Sequence, residues 1–174
     1  MDDVRDPAYP VVNTHNEWDP LEEVIVGIVD GAMIPPWDVI LEATLHKKEL
    51  WDFHRKFGGS PWPKEMIDAA KKDLDEFVHI LEAEGVTVRR PTPCDFSKPY
   101  ATPDFEIKSG CYALMPRDVL LAIGDQIIEA PMGWRSRYHE HVAYKDLCKE
   151  YFKKGARWVS APRPQLSDRS YVEG

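Results

Sequence analysis

The sequence predicts an α/β protein in which a strand–helix–strand unit occurs twice. Each copy has a helical pattern that ends at a glycine, followed by a short apolar strand and a Pro-x-Pro segment. The two glycines, Gly85 and Gly155, set a repeat of about 70 residues. A pair of apolar runs joined by Gly124-Asp125 precedes the second helix and predicts a tight hairpin. Two such units are too few to form a closed repeat fold, so we expect a truncated chain or one that needs a partner.

The first unit comprises a strand, a long helix and a second strand. Residues 21–27 form an apolar run bounded by proline and glycine, which predicts a buried strand. Residues 63–84 are predicted to be helical, because apolar residues recur at steps of three and four. Residues 86–89 form the second strand, and the aromatic-rich segment 37–57 is expected to be partly helical. The apolar face of the long helix consists of Met66, Ile67, Ala70, Leu74, Phe77 and Leu81.

The second unit follows a segment without regular periodicity. Residues 94–110 are rich in proline and polar residues and are expected to form a loop. Residues 119–123 and 126–130 are the apolar runs of the predicted hairpin. A second helix is predicted over residues 136–154, and a strand over residues 157–160.

Composition restricts the classes of function. The chain has 22 basic and 30 acidic residues, a net charge of −8, so we expect no nucleic-acid partner. No apolar run reaches the length of a membrane span. Residues 1–12 are expected to be a disordered lead-in without the character of a signal or transit peptide. Residues 1–174 are otherwise expected to form a single, incomplete domain.

Cysteine and histidine give weak candidates for chemistry. Cys94 and Cys111 lie in predicted loops with no evident base nearby, and Cys148 lies on an apolar helix face, so we expect reduced thiols and no zinc site. His139 and His141 are two residues apart in the predicted helix, where they would point to opposite sides. The sequence therefore predicts no metal site.

Two acidic loops are stronger candidates. Asp118, in the segment Met115-Pro116-Arg117-Asp118, precedes a buried strand, and a carboxylate there can bind a planar guanidinium side-on. From spacing alone, a surface turn of Arg117 and Asp118 without a ligand is the simpler interpretation. Asp104 and Glu106 form a second acidic loop, and two carboxylates alone are weak evidence of a cation site.

Longer motifs resemble one family. The sequence is similar to the N-terminal half of the glycine amidinotransferase family, and to amidinotransferases of streptomycin, cylindrospermopsin and saxitoxin pathways. The resemblance covers about residues 13–168 without large gaps. Its motifs are NEWDPLEEVIVG (16–27), EGVTVRRP (84–91), TPDFE (102–106), MPRD (115–118), IIEAPM (127–132), WRSR (134–137), GARW (155–158) and APRP (161–164).

The resemblance implies a fold, a reaction and a binding residue. The fold is a pentein-type α/β propeller, of which this chain would supply about two strand–helix–strand modules of five. The family moves an amidino group from L-arginine to an amine, such as glycine, through an amidino-cysteine intermediate, assisted by an aspartate–histidine pair and without cofactor or metal. In the family the aspartate of the MPRD motif binds the guanidinium, which corresponds to Asp118. Arg117, Asp104 and Glu106 are candidates to support it. Arginine and agmatine deiminases are similar at the same Arg-Asp pair, so the pair indicates guanidine handling in general.

The resemblance also sets expectations about the whole protein. The family's catalytic aspartate, histidine and cysteine correspond to no residue of this chain, so we expect no catalytic residue within it and no activity from it alone. A secondary-metabolite pathway with another acceptor amine is one alternative, and a non-catalytic guanidino-binding module is another. The full-length protein is expected to be a homodimer located in the cytoplasm, with mitochondria as the alternative.

Overall fold

The computed structural model describes residues 10–172, which form six α-helices, seven short strands and two 3₁₀ segments within that range. The 3₁₀ segments are Arg135–Arg137 and Glu140–Tyr144. The helices are α1 (Val39–Thr44), α2 (Lys48–Phe57), α3 (Lys64–Ala83), α4 (Pro116–Val119), α5 (Lys145–Lys153) and α6 (Asp168–Val172). The strands are β1 (Glu23–Ile25), β2 (Thr87–Arg89), β3 (Tyr100–Ala101), β4 (Glu106–Ile107), β5 (Leu120–Ile123), β6 (Gln126–Glu129) and β7 (Arg157–Ser160).

The first strand–helix–strand unit has the predicted elements. β1 pairs in parallel with β2, and α1, α2 and α3 make the crossover between them. The predicted long helix is confirmed as α3, and β1 is shorter than the predicted run 21–27. Gly85 ends the helix with φ 83°, a left-handed conformation that glycine adopts without a Cβ penalty.

The second unit is built on the predicted hairpin. β5 and β6 are antiparallel, and Ile123 faces Gln126 across the turn at Gly124-Asp125. β7 adds in parallel to β6, so the sheet order is β5-β6-β7. The predicted hairpin and the final strand are confirmed.

The second helix begins later than predicted. Instead of starting at residue 136, the α-helix starts at Lys145, and two 3₁₀ turns precede it. Arg135, Arg137 and Glu140 are buried in these turns, where an α-helix with an apolar face was expected. Buried ionic side chains need specific hydrogen-bond partners. The backbone of these two turns follows the positions of those partners, and an apolar helix face does not determine it.

The expected loop 94–110 contains a small hairpin. β3 and β4 pair antiparallel, and the hydroxyl of Thr102 accepts hydrogen bonds from the backbone N–H groups of Asp104 and Phe105 at 3.2 Å each. Phe105 and Ile107 are buried against Leu166, and this burial gives the polar segment its fixed shape. The loop prediction was therefore wrong for these residues.

The main core combines residues of the β5-β6-β7 sheet and of the segment 140–151 with Ile28, Met33, Phe96 and Ala113. Tyr144 has no exposed surface, and its hydroxyl donates a hydrogen bond to the carbonyl of Ala113 at 2.8 Å. Val11 and Val12 pack against this core. Residues 1–9 of the predicted lead-in lie outside the described residues.

Candidate functional site

Asp118 lies in the one-turn helix α4, which leads directly into β5. Pro116 occupies the first turn of α4, where its fixed φ and missing N–H suit a helix start. Asp118 therefore lies inside the helix, two residues before β5 begins at Leu120, and so precedes the strand as the sequence predicted. Its side chain is 27% exposed. The helix-to-strand junction thus places this partly exposed carboxylate next to the buried Val119.

Asp118 is hydrogen-bonded to a buried ion pair formed by Arg137 and Glu140. Arg137 donates from Nε to both carboxylate oxygens of Glu140 at 2.9 Å, and from Nη2 to Oε2 at 2.8 Å. From its remaining terminal nitrogen, Nη1, Arg137 donates to Oδ2 of Asp118 at 2.9 Å. The guanidinium carbon also lies 5.3 Å from the centre of the Tyr112 ring, within cation–π range. One arginine therefore joins a buried glutamate to a partly exposed aspartate.

The two buried groups shift each other's titration. Burial raises the pKa of Glu140 to about 7, although the Arg137 guanidinium opposes that rise. Burial alone would lower the pKa of Arg137, but its hydrogen bonds to Glu140 carry the pKa above the usual value. When Asp118, Arg137 and Glu140 are all ionised, these three groups together carry one net negative charge, and the exposed Arg117 adds one positive charge at the rim of the cluster.

The other predicted site residues lie apart from this cluster or at its rim. Arg117 extends into solvent with 94% of its side chain exposed, and its Nη1 lies 3.7 Å from Oδ1 of Asp118. Asp104 and Glu106 are exposed on the β3–β4 hairpin, and within residues 10–172 neither forms a hydrogen bond or ion pair with Asp118. The structure therefore brings Arg117 to Asp118 and leaves the second acidic loop separate.

An open cleft of about 1120 Å³ adjoins α4. It is lined by residues 10–17 and 19–25 and by Pro116, Arg117, Leu120, Ala122, Ile127 and Tyr151. Asp118 is not among the lining residues, although its neighbour Arg117 is. The cleft wall therefore includes the neighbour of Asp118 in the chain but not Asp118 itself.

The three cysteines are poorly suited to attack a substrate. Cys111 is fully buried, and burial raises the pKa of its thiol well above the usual value. Burial raises the pKa of Cys148 to about 12 and also raises that of Cys94. Because the thiolate is the nucleophile, these environments disfavour reaction.

Contrary to the prediction, His139 and His141 do not lie in an α-helix. His139 is exposed before the second 3₁₀ segment, and His141 is half-buried within it, with ring centres 6.0 Å apart. Burial lowers the pKa of both. Among the described residues, no group of three or more histidine, cysteine or acidic side chains could hold a metal ion. Over the same residues, no helix has the length and apolar character needed to cross a membrane.

No protein-family model matches the chain, but individual proteins do. The mitochondrial glycine amidinotransferase of Danio rerio is 51% identical over 160 residues, which are 92% of this chain and 37% of that protein. The L-arginine:L-lysine amidinotransferase of Pseudomonas savastanoi pv. phaseolicola is 55% identical over 163 residues, 94% of this chain and 44% of that protein. The chain is homologous to the N-terminal part of the amidinotransferases.

Two solved amidinotransferases share the fold of the homologous region. An amidinotransferase of saxitoxin biosynthesis from Microseira wollei superposes with a TM-score of 0.80 at 54% identity, covering 90% of this chain and 43% of that one. The inosamine-phosphate amidinotransferase of Streptomyces griseus gives 0.81 at 43% identity, covering 92% and 46%. This chain thus spans less than half the length of each relative. The resemblance to amidinotransferases is confirmed over the part that the chain covers.

Sequence reasoning missed Arg137, which bonds to Asp118, and Glu140, which bonds to Arg137. Arg137 belongs to the WRSR motif, to which the sequence analysis assigns no role for this residue, and Glu140 lies between His139 and His141. Their signal was present: an arginine and a glutamate three residues apart inside a segment predicted to be helical. The sequence does not show that both residues are buried, and their burial is what distinguishes this pair from an ordinary surface ion pair.

Proposed function

We propose that this chain forms the arginine-binding part of an amidinotransferase, with Asp118 as the residue that binds the guanidinium of L-arginine. The observation that carries the proposal is a partly exposed carboxylate that is hydrogen-bonded to a buried arginine. Arg137 bonds to Oδ2, and the exposed Arg117 lies 3.7 Å from Oδ1, beyond hydrogen-bond distance. An ionised carboxylate has about four acceptor positions, so a ligand that displaces Arg117 can still bind to both oxygens. The identity to several amidinotransferases supports this proposal.

The proposed reaction transfers the amidino group in two steps. A cysteine thiolate attacks the guanidinium carbon of L-arginine, the C–N bond to the departing amine breaks, and ornithine leaves with a proton. The acceptor amine then attacks the amidino-cysteine, loses a proton, and releases the thiolate. Because Cys111 and Cys148 are buried, and the pKa of all three thiols is raised, we assign the nucleophile to the portion of the relatives that this chain does not cover.

The fold proposal extends the two units that are present. Each has two parallel strands joined through helical segments, with β1 beside β2 and β6 beside β7. We propose that they are two of five modules of a pentein propeller, with the full-length protein a homodimer. Light scattering on the full-length protein would test the dimer, since a mass of one chain contradicts it.

The acceptor is proposed to be glycine, which would give guanidinoacetate. The relatives argue equally for another acceptor, because the arginine:lysine enzyme is 55% identical and a glycine enzyme is 51% identical. Incubation of the full-length protein with L-arginine and one amine at a time, followed by ornithine detection, decides between them. Ornithine formed with lysine but not with glycine would remove the glycine assignment. Tight L-arginine binding without ornithine from any amine would favour a non-catalytic guanidino-binding module.

The role of Asp118 is tested by Asp118→Ala in the full-length protein. Removing one partner of a hydrogen-bonded charge pair costs about 2–5 kcal/mol, so L-arginine affinity should fall by roughly 30-fold or more. Calorimetric titration with L-arginine measures this loss. Asp104→Ala is the matched control, since it removes an exposed carboxylate from the separate β3–β4 hairpin. Equal affinity in the two variants would contradict the assignment.

The compartment is proposed to be the cytoplasm, with mitochondria as the alternative. Relatives from Danio rerio and Gallus gallus are named as mitochondrial proteins, which supports the alternative. Fractionation of the source cells with an antibody to the chain would decide between the two.

A further inference from the structure

Arg137 uses its whole guanidinium for two different carboxylates. Its Nε and Nη2 edge is paired with Glu140, and its Nη1 is paired with Oδ2 of Asp118. The side chain of Arg137 is 10% exposed, and that of Glu140 is 1% exposed. The guanidinium of Arg137 is planar, and Glu140 holds it along one edge, so it cannot rotate. The direction of the hydrogen bond from its third nitrogen, Nη1, to Asp118 is therefore fixed.

We propose that Arg137 is a positioning residue for Asp118: clamped by Glu140, it fixes the carboxylate plane that receives the guanidinium of L-arginine. This inference rests on the proposed function of Asp118 and adds the two residues that make its carboxylate selective for a flat, forked cation. With Oδ2 anchored from the core side, the carboxylate cannot rotate freely about its Cβ–Cγ bond. A ligand guanidinium therefore meets a fixed pair of oxygens and loses less freedom on binding.

A purely electrostatic role would need only a positive charge near Asp118. Lysine keeps that charge but presents a single ammonium, which cannot reproduce the edge pairing with Glu140 and the separate bond to Asp118. Arg137→Lys therefore separates orientation from charge. Glu140→Gln has nearly the same shape as the native residue and removes one acceptor oxygen, so it loosens the clamp without removing Arg137.

A matched control is available two residues away in the same 3₁₀ turn. Arg135 is also buried and bonds to Asp38 at 3.1 Å, to Asp168 at 2.6 Å and to the carbonyl of Leu166 at 2.8 Å. Among the described residues, it forms no hydrogen bond or ion pair with Asp118. Arg135→Lys should lower thermal stability as Arg137→Lys does and leave L-arginine binding unchanged.

The test is a double-mutant cycle in the full-length protein, with L-arginine as the titrated ligand. We expect Arg137→Lys to weaken L-arginine binding about tenfold and Glu140→Gln about threefold. In an Asp118→Ala background, neither change should weaken binding further, because the positioned carboxylate is gone. In turnover, the KM for L-arginine should rise while the KM for the acceptor amine stays constant.

The outcomes separate this inference from the proposed function. Loss of binding in Asp118→Ala, with wild-type binding in Arg137→Lys, would overturn the positioning role alone. An equal effect of Arg137→Lys with and without Asp118 would overturn it too, as would an effect matched by Arg135→Lys. Unchanged binding in Asp118→Ala would overturn both proposals. If Arg137→Lys does not fold, as judged by circular dichroism, the Glu140→Gln cycle decides the question by the same criteria.

Discussion

The two strand–helix–strand units share a connectivity but bury their helices to different degrees. In the first unit, α3 is 20 residues long and contains no buried residue, and Phe77 and Ile80 are exposed. In the second unit, α5 has only nine residues but buries Leu147, Cys148 and Tyr151. The same topology is therefore compatible with a helix on the surface and with a helix in the core. Connectivity alone does not tell which unit carries the stability of the chain.

The units also differ in where they place charge. The crossover of the second unit buries Arg135, Arg137 and Glu140 between β6 and α5, and those charges are matched by hydrogen bonds. The ion pairs of α3, such as Lys72 with Glu76 at 3.7 Å, lie on its exposed surface. Exposed pairs contribute little to stability, whereas a buried pair fixes geometry and is costly to break. The candidate binding residue is attached to the unit with the buried charges.

The largest expected effect comes from truncating the buried helix. Leu147→Ala should destabilise the full-length protein by about 2–5 kcal/mol, since it removes buried methyl groups and leaves a cavity in the core. Ile80→Ala on α3 should cost far less, because its side chain is already 62% exposed. Urea unfolding of both variants measures the difference. A cost at Ile80 equal to that at Leu147 would show that another part of the full-length protein covers α3.

The next effect concerns pH and the buried glutamate. Since burial raises the pKa of Glu140 to about 7, the folded state holds its proton more tightly than the unfolded state does. The stabilisation from this proton is fully present below about pH 4.5 and is lost as the pH rises through about 7. The free energy of unfolding should therefore fall by about 1–3 kcal/mol over this range, because one pKa unit corresponds to about 1.4 kcal/mol. Urea titrations at several pH values measure the slope.

Glu140→Gln isolates this contribution from other titrating groups. Gln has no carboxyl proton, so the pH slope of the variant should be shallower between pH 5 and 7. Tyr112 and Tyr144 face Glu140, but burial raises the pKa of both, so they do not titrate in this window. Parallel curves for the wild type and the variant would contradict the raised pKa of Glu140.

The elements that the sequence predicted correctly are those with strong local signals. Apolar residues that recur at steps of three and four predict α3. The two apolar runs on either side of Gly124 predict the β5–β6 hairpin. Gly85 and Gly155 end their helices with φ of 83° and 98°, where the sequence places them. In each case the information lies within about 20 residues, which is the range over which local patterns act.

The elements that the sequence missed depend on contacts between distant segments. The β3–β4 hairpin is fixed by burial of Phe105 against Leu166, and the 3₁₀ turn at Arg135 is tied to Asp38, 97 residues earlier. Asp118 could be identified as a candidate from its motif, but its anchor could not, because nothing local reveals that Glu140 is buried. Hydrogen bonds and ion pairs between residues far apart in the sequence leave no periodic pattern, so sequence periodicity cannot predict them.

The smallest expected effects test whether the two helix ends are equivalent. An alanine Cβ at Gly85 or Gly155 would have no atom within 4 Å, so its cost comes from the left-handed backbone alone. Gly85→Ala should therefore cost about 1–2 kcal/mol. Gly155→Ala should cost slightly more, because its φ of 98° lies further from the left-handed minimum near +57°.

Gly133→Ala is the matched control for both glycines. It also has open space around its Cβ position, and its φ is not positive, so its substitution should change stability by less than about 0.5 kcal/mol. Thermal unfolding of the three variants under one condition gives the comparison. A loss at Gly85 no larger than that at Gly133 would mean that the end of α3 relaxes. A much larger loss at Gly155 than at Gly85 would mean that the end of α5 cannot relax, since the buried packing of Tyr151 holds the turn in place.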